Sequence, residues 1–251
     1  MLAAGSSLPA LLVVAGWMVL RGADRGAFAR RSRAAGARLA VVFLLPLALV
    51  VGSWTARNAH VFGTPVLVST NGGYNFWLGN YPGVTAGTGN ARLSDAMEAE
   101  AAAVWATPGS EQTRDRAFWD LGRRHVAEDV PRFVRLSLAK AGLFWSVVAE
   151  PLTADRPRLP IEALASWLSY GLLLPFALGW LLATLRRDPL AGLVLALAVV
   201  YTAVHAVVLA KVRFRLPIDV LVIVYGCGGL VAAWDLVTAR RPDAAGRDRG
   251  R

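Results

Sequence analysis

Cysteine is nearly absent: Cys227 is the one cysteine in 251 residues. An intramolecular disulfide is thereby excluded, and no Cys/His spacing of metal-ligand type exists. Cys227 itself reads as a small apolar helix residue. Histidine is almost as scarce, at three. His60 and His125 have no partner at a useful spacing. His205 lies inside an apolar run, where a hydrogen bond to a neighbouring helix explains it better than catalysis. The serine nucleophile elbow, the phosphate-binding P-loop and the zinc-protease helix motif are all missing. No cofactor motif is evident, and no ligand set supports a divalent metal.

Charge is missing from long stretches. No charged residue occurs in Met1–Leu20, Leu39–Ala56, Ala163–Leu185 or Pro189–Ala210, which are 20, 18, 23 and 22 residues long. Each is close to the ~20 residues a helix needs to cross the hydrocarbon core. A fifth run, Val220–Trp234, has 15 residues between Asp219 and Asp235. It spans if Leu216–Ala239 is helical with both aspartates near the interfaces. With 55% hydrophobic residues and a mean hydropathy of +0.46, the chain reads as an all-α polytopic membrane protein. We expect about five transmembrane helices and one mainly helical extracytoplasmic segment.

The net charge of +10 suggests nucleic acid only until the charges are located. Segment 21–38 nets +5, residues 186–188 net +1 and the tail 240–251 nets +3, while 57–162 holds eleven basic and eleven acidic residues. Short basic loops on one side and a balanced segment on the other form the positive-inside pattern. The basic partner is therefore membrane lipid, with no role for nucleic acid. The expected organisation is residues 1–56 as two transmembrane helices around a cytoplasmic Arg-rich loop (21–38), then an extracytoplasmic segment (57–160). Three transmembrane helices (161–239) with a basic outer loop (211–217) follow, and 240–251 is a disordered cytoplasmic tail. No basic residue precedes the first helix and arginines follow it, the reverse of a signal peptide. This leads us to expect the downstream portion of a longer membrane protein.

In the second span, Leu39–Ala56, Pro46 is placed to kink the helix and Trp54 to anchor its exit at the interface. Val66–Val68 is β-like, Ser69–Gly73 reads as a tight turn, and Gly79–Asn90 as a loop. Helices are predicted over Asp95–Ala106 and Glu111–Asp129, with Ser94 and Ser110 as N-caps and Pro131 limiting the second. Phe118, Leu121 and His125 share one face of the latter. Segment 132–149 is too charged to span, its amphipathic face is not clean, and it reads as lying at the membrane surface.

Two constellations could carry chemistry. In Ser69–Asn80, the amides Asn71, Asn75 and Asn80, three aromatics including Trp77, and three glycines suit a polyhydroxylated ligand. Amides bond hydroxyl pairs, rings cover a sugar's apolar face, and glycines admit close approach. The same composition also suits a turn whose aromatics sit in the interfacial belt. The outer Lys211, Arg213 and Arg215 break the charge pattern. Cations placed there match phosphate oxygens, either of a lipid-linked substrate or of ordinary headgroups. Of the outer carboxylates, any could serve as a base, but most fall on exposed helix faces among arginines.

Residues Trp54-Thr55-Ala56-Arg57-Asn58, Phe62-Gly63 and Val68 through Asn80 with Pro82 resemble the stretch after an inner helix in glycosyltransferase family 39-like membrane proteins, of the GT-C class. The run Arg213-Phe214-Arg215-Leu216-Pro217-Ile218-Asp219 is similar to their arginine–aromatic–arginine–leucine–proline signature. His125–Trp145, with Pro131-Arg132-Phe133 and Lys140, also fits, so the resemblance covers most of 39–235. It implies a multi-pass enzyme of the bacterial plasma (inner) membrane that takes a sugar from a polyprenyl-phosphate carrier and transfers it to an extracytoplasmic lipid, glycan or protein. Arg213, Arg215 and Lys211 would then bind the carrier phosphate. Asn71, Asn75, Trp77 and Asn80, with Arg57, would shape the sugar or acceptor site. The family's catalytic carboxylate lies in the first outer loop, and no position here matches it. The base is expected from a missing N-terminal half or a separately encoded partner. The rival reading is a non-catalytic scaffold or accessory protein of envelope-glycan assembly.

Overall fold

A computed structural model describes residues 10–18, 33–66, 69–87, 93–148 and 159–239. Every regular element among them is helical. Residues 10–18 form α1. Then come α2 (Arg33–Phe62), α3 (Gly72–Asn80), α4 (Asp95–Trp105), α5 (Glu111–Glu128), α6 (Val130–Phe144), α7 (Pro160–Ser166), α8 (Leu172–Thr184), α9 (Pro189–Val207) and α10 (Leu216–Ala239). A π-helical stretch, Trp167–Gly171, joins α7 to α8, and a 3-10 turn, Val212–Arg215, leads into α10.

Four stretches among the described residues are long and apolar enough to cross a bilayer: Ala37–Phe62, Pro160–Thr184, Pro189–Val207 and Val212–Thr238. They are the second to fifth runs expected above, and the chain is an all-α membrane protein. The first expected span is described only over 10–18, and its remainder lies outside the described residues, as do most of the Arg-rich loop and the 240–251 tail. In α2, Pro46 sits inside a continuous helix. The helix also runs past the expected exit at Trp54 as far as Phe62, where Gly63 turns the chain at φ 71°.

The described residues fall in two compact units, one drawn from Met1–Ser146 and Ala196–Arg215, the other from Arg158–Leu195 and Leu216–Arg251. In the second unit α8 packs along α10. The approach is close because Gly226 and Gly229 face Leu173 and Phe176, and a Cβ at Gly229 would meet the Phe176 carbonyl oxygen.

The first unit is built on α3, which packs against α5, with α4 laid on α5 as well. Trp77, Leu78, Met97, Ala101, Val104 and Phe118 form its core, flanked by Tyr74, Tyr81 and Leu121. Burying side chains of this size contributes about 1.5–3 kcal/mol each. Both serine caps form as predicted: Ser94 Oγ accepts from Met97 N at 3.3 Å and Ser110 Oγ from Thr113 N at 3.4 Å.

Two local readings need correction. Residues 72–80 form a helix, which takes in Gly72–Gly73 of the expected turn and Gly79–Asn80 of the expected loop, because α5 supplies what a glycine-rich sequence lacks: Asp115 Oδ1 accepts from Gly73 N at 2.6 Å at the helix start. The β-like run at 66–68 is not among these, since positions 67 and 68 lie outside the described residues. Segment 132–149 is mostly α6, and its amphipathic face is clean after all, with Leu136, Lys140 and Phe144 buried on one side. The sequence pattern was obscured because one residue of that face is a lysine.

Candidate functional site

The site begins where α3 ends. The last carbonyls of any helix have no partner within the helix and carry partial negative charge. Here Arg132, from α6, donates to the carbonyls of Asn80 at 2.8 Å and Tyr81 at 3.0 Å. A second helix end meets the same point. Past the last residue of α9, Lys140 Nζ donates to Val208 O at 3.2 Å, while Asn80 Nδ2 donates to Val207 O at 3.0 Å. Asn80 Oδ1 accepts from Lys140 Nζ at 3.1 Å. The third helix end is that of α6, where Arg215 Nη1 donates to Phe144 O at 2.7 Å and Ser146 O at 3.1 Å. Its guanidinium also lies 5.8 Å over the Trp145 ring. Three helix C-termini, of α3, α9 and α6, are thus each held by a cation from another element.

Close approach makes this possible. A Cβ at Gly79 would meet the Val208 carbonyl oxygen, and one at Gly73 would meet that of Asp115. Lys140 and Arg215 are both buried, at 1% and 2% exposure. Burial, reinforced by the charge of Arg132, lowers the Lys140 ammonium to about 8. Burial also raises the Asp115 carboxyl, against the pull of the Gly73 and Tyr74 amides and the Trp119 side chain.

Beside the α9 end, His205 is caged by rings. Phe144 and Tyr201 stack on it at 5.3 and 6.0 Å, Phe214 lies tilted to it at 5.1 Å, and its Nδ1 stands 2.8 Å from Tyr201 O. The hydrogen bond of His205 is therefore made within its own helix and not to the neighbouring helix expected from the sequence.

The residues expected to form a site divide into two groups. Asn75, Trp77, Asn80 and Arg215 are buried and bonded internally. Asn75 Nδ2 donates to Asn71 O, and Trp77 Nε1 donates to Glu100 Oε2 at 2.8 Å. The others are reachable. Asn71 is half-buried, its Oδ1 accepting from Ser69 Oγ at 2.7 Å. Lys211 is half-buried and Arg213 exposed, the latter's guanidinium 5.4 Å over the Phe214 ring. Arg57 is exposed on α2, donating to Asn58 Oδ1 at 3.1 Å and lying 5.6 Å over Trp54. The structure therefore joins the Asn/Gly/aromatic motif to the 208–215 link through α6.

Two features escaped the sequence. Glu100 Oε2 stands 3.2 Å from His125 Nε2 as well as accepting from Trp77, and Lys140 is the pivot of the helix ends. His125 and Glu100 are 25 residues apart on different helices, a separation that no local spacing rule detects. No group of three or more metal-ligating side chains occurs among the described residues. The chain matches no known protein family, no curated protein and no solved structure.

Proposed function

We propose that this chain is the C-terminal part of a membrane glycosyltransferase that takes a sugar from a polyprenyl-phosphate carrier and transfers it to an extracytoplasmic lipid, glycan or protein. The supporting observation is the joint at Asn80, Lys140 and Val208, with Arg215 bonded to the end of α6. Asn80 of the Asn/Gly/aromatic motif bonds Val207, 127 residues away at the end of α9, and the end of an apolar helix suits the depth at which a lipid-linked phosphate lies. Arg213 is the exposed cation there and binds the phosphate, with Lys211 beside it in sequence. Arg215, Asn75, Trp77 and Asn80 are positioning residues that fix the link and α3. Transfer breaks the bond between the anomeric carbon and the phosphate oxygen and forms one to an acceptor oxygen. The proton on that oxygen passes to a general base.

The test is binding of polyprenyl phosphate to the purified protein in lipid nanodiscs, read by native mass spectrometry. Losing charge-assisted bonds to phosphate should weaken binding about tenfold in Arg213→Ala. Unchanged binding would remove the phosphate role.

A scaffold in envelope-glycan assembly is the second reading. It is favoured by the internal bonding of four of the proposed site residues. Carrier binding that ignores Arg213 would favour it further.

A further inference from the structure

The outward side of α6 has a composition that water alone does not explain. Val130, Val134 and Leu138 are 51%, 49% and 69% exposed. Their spacing of four places them in one stripe along the helix. Arg135, also exposed, flanks that stripe. The opposite stripe, Leu136, Lys140 and Phe144, is buried. The helix thus has one face in the protein and a second apolar face that is exposed.

Its height relative to the bilayer is set by α9. That span has 19 residues, about 28 Å of helix, which is barely the thickness of the hydrocarbon core. Its ends therefore lie at the core's borders. Lys140 is bonded to Val208, one residue past the α9 end. Trp145 Nε1 donates to Thr202 Oγ1 at 2.9 Å, five residues before that end and so about 8 Å deeper. This is the depth of the upper acyl chains, so the C-terminal end of α6 reaches below the border of the core.

We propose that α6 lies in the bilayer interface, with Val134 and Leu138 among the upper acyl chains and Arg135 on lipid phosphates. The occupant of the exposed stripe is the membrane's own phospholipid. The charge fits, because a guanidinium beside an apolar stripe matches a phosphate above acyl chains. This placement does not rest on the carrier reading and holds for an enzyme or a scaffold.

Spin labels at Val134→Cys and Leu138→Cys test it, with Arg116→Cys on the exposed side of α5 as the water-facing control. All three are made in a Cys227→Ala background. The full chain is reconstituted in vesicles of phosphatidylcholine with a minority of phosphatidylglycerol. Relaxation by oxygen and by a neutral nickel chelate is then measured. Labels at 134 and 138 should be relaxed strongly by oxygen and weakly by nickel, with the order reversed at 116. A label at either 134 or 138 as open to nickel as the one at 116 would overturn the proposal. Because these positions are exposed, the variants should keep the wild-type thermal midpoint, which confirms that a folded protein was measured.

Discussion

Lys140 Nζ stands 3.1 Å from Asn80 Oδ1 and 3.2 Å from Val208 O. No described carboxylate forms an ion pair with it. Its charge is met by the carbonyl ends of helices instead. Removing a partner from such a group is harmful, because a buried ammonium loses bonds it cannot regain from water.

This arrangement gives stability a pH dependence of known sign. The unfolded chain holds the Lys140 proton up to 10.5 and the folded chain only up to about 8. Between those values the unfolded state binds more protons, so stability rises with pH. The penalty for the buried charge is full below about 8 and disappears as pH approaches 10.5. Thermal midpoints of the wild type and Lys140→Met should therefore diverge in the wild type's favour from pH 8 upward. Parallel curves would mean that Lys140 does not titrate this way.

Asn80 bridges two helix ends, bonding Phe76 O, Val207 O and Lys140 at once. Asn80→Ala leaves Val207 O and a Lys140 N–H unpaired and should cost about 2–3 kcal/mol. The loss is read as a lowered thermal midpoint in detergent, and a midpoint equal to the wild type's would contradict the bridging role.

The two link arginines should respond differently. Arg215→Lys replaces a planar fork on two carbonyls with a point donor and lowers stability. Arg213→Lys alters an exposed side chain and leaves the midpoint within about 0.5 kcal/mol of the wild type's stability. Equal losses in both would show that Arg215 is not a cap.

Much of this was legible in the sequence, for physical reasons that differ by residue. Charge-free runs near 20 residues give spans directly, and Ser94 and Ser110 announce their helices because capping is local chemistry. The helix at 72–80 was not legible. Its glycines suggest a turn, and the stabilising Asp115 is 42 residues away. Arg215 looked like a ligand residue because sequence shows its charge but not the α6 carbonyls it binds. Lys140 looked like a flaw in an amphipathic face because its acceptors come from α3 and the end of α9.

The glycines separate packing from propensity. A Cβ at Gly73 meets the Asp115 carbonyl oxygen and lies 2.8 Å from Trp119 Cδ1, while Gly142 has nothing within 4 Å. Gly73→Ala should destabilise by about 1–3 kcal/mol, and Gly142→Ala, in α6, should stabilise by about 0.5–1 kcal/mol. Thermal midpoints of the two variants should move in opposite directions, and movement in the same direction would contradict the packing of α3 on α5.

The joint between α3, α6 and the 208–215 link requires residues 69–148 and Arg213 to face the same side of the membrane. In a Cys227→Ala background, Glu98→Cys and Arg213→Cys can be treated with a membrane-impermeant maleimide in intact cells and again after lysis. Both positions should label fully before lysis, at the outer surface. Labelling of either one only after the cells are broken would contradict the shared outer face on which the site depends.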